Sequence, residues 1–200
     1  NLLDGSITAV NGETMRFEAK GLGSLTLPRP PEPPAPGPTT LAFLASFIGS
    51  AALWWIYFDV GAKRGSEMMA RTSQTGRLAR DGYTYGHMPI VAGVVVTAVA
   101  DGLALDHPGQ LASLGFILTA CGGPTLFLLG NQFFKWMSSN QKYPPLSHFI
   151  GHILLTIVGV VGWWIGVTTL FMAWATTTVL VITAAWEWFS LHGGWQRWAP

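Results

Sequence analysis

The chain has 200 residues, and only 10% of them are charged, with 11 Lys and Arg against 10 Asp and Glu. An ordinary soluble domain carries about 25% charged residues, so this composition argues against a water-soluble globule. The net charge of +1 gives no basic field of the kind that binds nucleic acid. The single cysteine excludes an intramolecular disulfide framework. Because the chain begins at Asn1 and not at a methionine, we expect a fragment or a processed form.

The charge and the prolines are divided unevenly along the chain. Residues 1–40 contain seven charged residues and seven of the 13 prolines, whereas residues 41–200 contain 14 charged residues and all 10 tryptophans. The seven prolines fall within residues 28–38, a composition that favours an extended polyproline spacer. We therefore predict three parts: a β-strand fragment over residues 1–27, a Pro-rich linker over 28–40 and a transmembrane helical domain over 41–200.

The first part has the alternating pattern of short β-strands. Turn residues at Asn11-Gly12 and Gly21-Leu22-Gly23 divide it into three strands, which predicts a β-meander. The segments 1–7 and 9–12 resemble the opening of the small β-barrel appended to the ATPase subunits of ABC importers. The chain contains no G-x-x-x-x-G-K-[ST] motif, so this resemblance implies no ATPase activity. The alternative is a generic hairpin with no transferable function.

The second part consists of long apolar runs. They cover residues 41–58, 88–105, 111–134 and 149–186. The last run extends for about 57 Å as a helix, nearly twice the hydrocarbon core of about 30 Å, so we expect it to turn back within residues 162–169. No apolar segment precedes residue 41, which argues against a signal peptide. The predicted fold class is an all-α polytopic membrane protein with about five transmembrane helices, preceded by the β-meander fragment and the Pro-rich linker. The competing interpretation, a buried helical core, is disfavoured by the scarcity of charges.

The Lys and Arg residues predict the orientation in the membrane. The predicted loops after the first, third and fifth spans hold all eight of the positive residues beyond residue 40, and the other two loops hold none; the eight are Lys63, Arg64, Arg71, Arg77, Arg80, Lys135, Lys142 and Arg197. Loops rich in Lys and Arg remain cytoplasmic, so residue 41 should start on the outer face. An importer ATPase domain works in the cytoplasm, whereas the charge pattern places residues 1–40 on the outer face. Either the two parts of the chain are a fusion, or a span is missing upstream of residue 41.

Two stretches of the membrane part are distinctive. They are Trp54-Trp55-Ile56-Tyr57-Phe58-Asp59, at the end of the first span, and the segment 77–93, which runs from Arg-Leu-Ala-Arg-Asp-Gly-Tyr-Thr-Tyr-Gly-His into the second span. Together they resemble the bacterial low temperature requirement A family. The resemblance covers residues 41–190 and implies a multi-pass protein of the bacterial inner membrane. It also implies that the chain corresponds to the C-terminal half of a protein about twice as long.

Four ionisable residues at membrane depth are candidates for a polar pathway, because a charge in hydrocarbon costs a few kcal/mol. Asp59 and His87 end the first span and begin the second, at the same predicted depth, and would pair if the helices are neighbours. A His beside a carboxylate suits a proton relay or a pH-dependent gate; the alternatives are a hydrated interfacial carboxylate and a structural hydrogen bond. Asp101 and Glu187 lie near the ends of their spans, where snorkelling to the interface also explains them.

Other motifs favour packing over chemistry. His148 and His152 share a helical face, but a zinc site needs three or four ligands, so we expect neither a metal nor a cofactor. Gly122-Gly123-Pro124 lies within the third span, where a Gly-Pro break suits either a transporter cavity or simple packing. Small residues in the fourth span, Gly151 among them, favour close helix approach. No Ser-His-Asp arrangement, Cys-His pair or carboxylate dyad indicates an enzyme.

The sequence leaves three hypotheses for function. The first is an inner-membrane protein of the low temperature requirement A kind, with a role in transport, permeation or membrane sensing. The second is an accessory domain of an ABC importer ATPase fused to a membrane segment. The third is a structural membrane subunit. The expected partners are the lipid bilayer and either another membrane protein or a second copy of the chain, and no nucleic acid.

Overall fold

The structure is a computed structural model that describes residues 5–10, 14–19, 23–28, 36–59, 84–137 and 146–191. The chain folds as two units, Asn1–Pro33 and Pro34–Pro200.

The first unit contains a three-stranded antiparallel sheet. Its strands are β1 (Gly5–Val10), β2 (Thr14–Ala19) and β3 (Gly23–Pro28), in the order β1-β2-β3. In this register Phe17 of β2 lies opposite Ile7 of β1 on one side and Leu25 of β3 on the other. The two predicted turns lie mostly outside the described residues, since only Gly23 of the second is described.

The second unit consists of helices, which the structure describes as α1 (Pro36–Phe58), α2 (Gly86–Asp106), α3 (Leu114–Met137), α4 (Leu146–Ile165) and α5 (Thr169–Leu191). Within the described residues, five helices are long and apolar enough to cross a membrane. Helices of 20 to 24 residues extend for about 30–36 Å, which matches a hydrocarbon core of about 30 Å. The prediction of five spans is confirmed.

The start of α1 differs from the predicted span. The helix begins at Pro36 and not at residue 41, so the last five residues of the predicted linker are helical. Proline is tolerated in the first turn of a helix, because the N–H that it lacks has no partner there. Residues 29–35 of the linker lie outside the described residues.

The long apolar run at the end of the chain turns back where the sequence predicts. Helix α4 ends at Ile165 and α5 begins at Thr169. Between them Gly166 has a φ of +67°, a left-handed conformation that glycine adopts without strain. Val167 O accepts a hydrogen bond from Ala112 N at 2.8 Å, which ties this turn to the segment before α3.

Helices α2 and α3 pack at very close range through glycine. A Cβ on Gly93 of α2 would lie 2.8 Å from the backbone oxygen of Gly123 on α3, and a Cβ on Gly123 would lie 2.6 Å from the backbone nitrogen of Thr97. Helix α3 is continuous through Pro124. Gly123 of the Gly-Gly-Pro motif therefore serves this packing, and the motif does not interrupt the helix. Small residues commonly allow such close approach between membrane helices.

The remaining helices complete a bundle whose interior is partly polar. Thr177 Oγ1 on α5 donates a hydrogen bond of 3.0 Å to the backbone oxygen of Ala45 on α1. On α4, a Cβ at Gly151 would lie 2.8 Å from Leu128 of α3 and 2.9 Å from Thr183 Oγ1 of α5. Gly151 therefore marks a level at which α3, α4 and α5 meet.

The outward faces of the helices are apolar. Large exposed side chains include Phe47, Leu118, Val160 and Trp164, the last with 86% of its surface accessible. Buried side chains include Lys135, Glu187, His148 and several threonines. A soluble protein shows the opposite distribution, whereas this one suits a bundle surrounded by lipid.

Candidate functional site

A buried ion pair joins α3 and α5 near their C-terminal ends. Lys135 Nζ lies 2.6 Å from Glu187 Oε1, and the two side chains are only 7% and 4% exposed. Each charge would be very costly in hydrocarbon by itself. At this distance the two charges compensate each other through a charge-assisted hydrogen bond, which is about twice as strong as a hydrogen bond between neutral groups.

The same ammonium group also bonds the end of α1. Lys135 Nζ donates a second hydrogen bond, of 2.6 Å, to the backbone oxygen of Ile56. Helix α1 ends at Phe58, and the last four carbonyls of a helix have no partner within the helix. A cation at this position satisfies one of them and interacts favourably with the negative end of the helix dipole. Lys135 therefore links three helices.

One expectation from the sequence is wrong at this pair, and one of the two interpretations of Glu187 does not fit it. Lys135 was expected in the loop between the third and fourth spans, but α3 extends to Met137 and encloses it. For Glu187 the sequence left open a pathway residue or a side chain that snorkels to the interface, and the second interpretation does not fit a residue that is only 3% exposed. The sequence pattern places both residues near a span end but does not reveal that they face each other across the bundle.

A second polar contact lies beside the ion pair. The Tyr57 hydroxyl of α1 lies 2.7 Å from His87 Nε2 of α2. Phe134 packs between these contacts, stacked on the Tyr57 ring at 6.4 Å and edge-on to the His87 ring at 4.7 Å. Because Tyr57 follows Ile56 and Phe134 precedes Lys135, the two contacts occupy the same end of the bundle.

Asp59 lies at the end of this region. Its backbone nitrogen donates a hydrogen bond of 3.0 Å to the backbone oxygen of Trp55, one turn before it. Its carboxylate is partly buried, and Oδ2 has no hydrogen-bond partner within the part of the chain that the structure describes. His87 Nε2 lies at hydrogen-bond distance from the hydroxyl of Tyr57, two positions before Asp59.

Asp101 lies apart from these groups, in the second half of α2. It is partly buried, and its carboxylate faces the hydroxyl of Ser46 on α1. No close hydrogen bond is formed by Ser46 Oγ among the described residues. Asp101 is thus the one candidate from the sequence that the structure separates from Glu187, His87 and Asp59.

Two further polar side chains lie deep between the helices at the ion-pair end. Asn131 of α3 and His148 of α4 are both 0% exposed. His148 Nδ1 lies 3.2 Å from Ser147 Oγ, and the positive charge of Lys135 acts on the His148 ring. Asn131 lies one turn before Lys135 on the same face of α3.

The histidine pair on α4 has no third metal ligand placed beside it within the described part of the chain. Among the described residues, no group of three or more His, Cys, Asp or Glu is placed to hold a metal ion. His148 is fully buried, whereas His152 is only partly so.

All five helices thus contribute a polar side chain to one end of the bundle. We call this set the end cluster; it comprises Tyr57, His87, Asn131, Lys135, His148 and Glu187. A stripe of buried polar residues on α5 leads into it, with Thr169, Thr176 and Thr183 preceding Glu187 at intervals of seven, seven and four residues. At 100° per residue these positions lie on one face of the helix.

Sequence reasoning identified His87 and Glu187 but missed the rest of the end cluster. The signal for His148 was its helical spacing from His152, which pointed to a metal instead. Lys135 could have been found by extending the third span by one turn, which would have left a lysine within it. Tyr57 carries no such signal, because tyrosine is common near the ends of membrane spans. The signal for Asn131 was its amide late in the apolar third span, and it did not show that the side chain faces the bundle interior.

Residues 30–185 match the model of a family described as Bacterial low temperature requirement A protein (LtrA). The chain belongs to this family. It is therefore a multi-pass membrane protein of the LtrA kind, as the segments 54–59 and 77–93 predicted. An uncharacterised protein of Rhizobium meliloti (strain 1021) is 37% identical to it over 155 residues. That match covers 77% of this chain and 36% of the relative, so the chain spans about a third of the length of the relative that it matches.

No solved structure matches the chain. The resemblance of residues 1–27 to the β-barrel of ABC importer ATPases is not supported: the LtrA match begins at residue 30, beyond this segment. The hypothesis of an importer accessory domain is accordingly not favoured.

Proposed function

We propose that this LtrA chain contributes a permeation pathway for small ions across the bacterial inner membrane. The pathway ends at the end cluster, which we place on the cytoplasmic side because the loops rich in Lys and Arg lie at that end. The observation that carries the proposal is the Lys135–Glu187 ion pair, which is buried among three membrane helices.

The energetics of the pair support a role beyond stability. Replacing a buried ion pair with apolar residues of similar size is often neutral or stabilising. A membrane bundle could therefore use leucine or methionine at both positions without loss. Ionisable residues retained inside membrane segments typically mark ion pathways and proton relays, and such a role explains the presence of this pair.

The polar stripe on α5 supplies a route from the opposite side of the membrane. Thr176 and Thr183 are buried, with 6% and 1% of their surface exposed. Their hydroxyl groups donate to backbone oxygens of α5 itself, and Thr183 bonds Val179 O at 2.8 Å. Each hydroxyl keeps an oxygen that can accept a further hydrogen bond. A permeating ion or its water would meet these oxygens in sequence on the way to Glu187.

The remaining candidates from the sequence lie at the margins of this route. Asp59 and His87 lie at the cytoplasmic end in the proposed orientation, where they would receive ions from solution. Asp101 faces Ser46 in the other half of the bundle, near the opposite entrance.

The test measures charge movement by the full chain in proteoliposomes. Vesicles adsorbed on a solid-supported membrane would be exposed to a KCl step, and then to a pH step, with empty vesicles as the blank. The wild-type chain should give a current, and Glu187→Gln should lower it by roughly tenfold or more, because the buried carboxylate charge is lost and the barrier rises.

A matched pair of threonines on α5 supplies the control. Thr183→Val removes a buried hydroxyl from the stripe, whereas Thr178→Val removes an exposed hydroxyl that bonds its own helix in the same way, with Oγ1 donating to Trp174 O at 2.7 Å. Only Thr183→Val should reduce the current. Equal currents in both variants, or no wild-type current at all, would overturn the proposed pathway and leave a structural role for the bundle.

A further inference from the structure

Asn131 and His148 are buried polar side chains on facing helices, α3 and α4. Both are 0% exposed. Within the described part of the chain, neither Oδ1 nor Nδ2 of Asn131 has a hydrogen-bond partner, and neither has Nε2 of His148. Buried polar groups in native proteins are almost always paired with protein or ordered water. Three such atoms on two facing helices therefore indicate a bound molecule with hydrogen-bonding capacity.

The helix geometry brings these atoms to the same level as the ion pair. Gly151 of α4 contacts Leu128 of α3 and Thr183 of α5. One turn further toward the same end lie Asn131 on α3, His148 on α4 and Glu187 on α5, since the neighbouring helices are antiparallel. The electrostatic action of Lys135 on His148 agrees with this placement.

We propose that the permeant of the pathway is the proton, carried by water molecules that Asn131 and His148 hold between α3 and α4. This inference rests on the proposed permeation function and names its substrate. Water requires two to four polar partners in order to be held inside a protein, and the Asn131 amide supplies both a donor and an acceptor. The imidazole of His148 supplies a group that can bind and release a proton.

The charges at the site favour a proton over a metal cation. The ammonium group of Lys135 already lies 2.6 Å from the carboxylate of Glu187, in the position that a sodium or potassium ion would occupy. No group of three or more His, Cys, Asp or Glu among the described residues could hold a metal ion instead. A proton needs only a succession of groups at hydrogen-bond distance.

The proton passes in order through His148, a held water molecule and Glu187. A proton from the cytoplasmic side binds His148 Nε2, and the N–H bond then breaks as the proton passes to the oxygen of a held water. That water, hydrogen-bonded to Asn131, transfers a proton to a carboxylate oxygen of Glu187. The neutral Glu187 releases Lys135, which keeps its hydrogen bond to the Ile56 carbonyl. Loss of the proton toward the α5 stripe restores the ion pair, and no net charge remains at the site.

The groups that face His148 set the pH dependence of this relay. Lys135 approaches from α3, Glu187 occupies the same level of α5, and Ser147 and His152 lie on α4 itself. Both Lys135 and a protonated His152 oppose a positive charge on His148. Proton occupancy of His148 should therefore be brief, and flux should rise as the cytoplasmic side is acidified.

The experiment measures proton flux into proteoliposomes that enclose a pH-sensitive dye, with a potassium gradient and valinomycin setting the potential. His148→Gln keeps a polar side chain but cannot carry a proton, and Asn131→Leu keeps the size but cannot hold water. Each should lower the flux by roughly tenfold or more, and replacing H₂O by D₂O should slow the wild-type flux. His107→Gln, a change at an exposed position beyond α2, and Thr119→Val, at a partly buried position near the opposite end of α3, should leave the flux unchanged.

The outcomes separate this inference from the proposed function. Wild-type flux that persists in a correctly folded His148→Gln variant would overturn the relay, as would a current carried by potassium or sodium without any proton movement. In the second case a permeation pathway would stand and only its permeant would be wrong. Absence of every current would overturn both. Circular dichroism and gel filtration in detergent establish that each variant is folded, and a misfolded Asn131→Leu is replaced by Asn131→Thr.

Discussion

The Tyr57 hydroxyl lies 2.7 Å from His87 Nε2, and this contact joins the last turn of α1 to the first turn of α2. Phe134 of α3 stacks on the tyrosine ring with the planes only 16° apart. Three helices therefore meet at one aromatic side chain. The neighbouring residues Ile56 and Lys135 join the same helices by a hydrogen bond, so the end of the bundle is held by two adjacent polar contacts.

The first prediction concerns this tyrosine. Tyr57→Phe keeps the ring stacked on Phe134 but removes the hydroxyl, so we expect a loss of about 1 kcal/mol in the free energy of unfolding, the usual value of one hydrogen bond. A double-mutant cycle with His87→Phe, measured by chemical denaturation in detergent micelles, isolates the contact. An interaction energy near zero would show that the hydroxyl and the imidazole are not coupled.

The second prediction concerns the buried ion pair. Lys135→Met leaves the Glu187 carboxylate without its ammonium partner, and removing one member of a buried pair costs about 3–5 kcal/mol. The double variant Lys135→Met, Glu187→Leu removes both charges and should recover most of this loss. Thermal unfolding of the purified chain in detergent measures both. Lys142→Met, a change at the lysine between the end of α3 and the start of α4 in sequence, is the control and should alter the stability little. A double variant as unstable as the single one would contradict this account.

The third prediction concerns the close packing of α2 against α3. A Cβ at Gly93 would lie 2.7 Å from Phe127 Cα and 2.8 Å from Gly123 O, and backbone atoms at that distance cannot move aside independently. We expect Gly93→Ala to destabilise the chain by about 1–3 kcal/mol through overpacking. Gly102→Ala on the same helix meets nothing within 4 Å and should be neutral or stabilising by up to about 1 kcal/mol. Equal effects of the two substitutions in thermal unfolding would argue against the interface.

The fourth prediction concerns the orientation in the membrane. Cys121 is the single cysteine, so Cys121→Ser gives a background for labelling with a membrane-impermeant maleimide. In intact spheroplasts, Gly109→Cys, which lies in the short connection between α2 and α3, should react, because a loop without Lys or Arg faces outward in the proposed orientation. Ser73→Cys, in the loop rich in Lys and Arg, should react only after the membrane is opened. The reverse labelling pattern would invert the proposed orientation.

The length and composition of the apolar runs account for the membrane helices and for most of their bounds. The turn at Gly166 was also predictable, because a run of 38 residues cannot remain within one crossing of about 30 Å and glycine accepts the left-handed conformation. The start of α1 was placed five residues late, since proline was taken as a linker residue although it is compatible with a first helical turn. These features depend on neighbours in the sequence.

The end cluster was decided by tertiary structure. The sequence by itself determined that Glu187 and His87 are ionisable residues in apolar surroundings, because that property belongs to each residue and its flanking positions. It could not determine that Glu187 pairs with Lys135, 52 residues away, or that Lys135 reaches Ile56, 79 residues away. Such pairings depend on the rotation of each helix about its axis and on its depth against its neighbours. Rotation and depth are set by contacts between helices, and Gly93, Gly123 and Gly151 fix how closely the backbones approach. The hydrophobic pattern of the sequence does not determine either quantity, because the helices are apolar on every outward face.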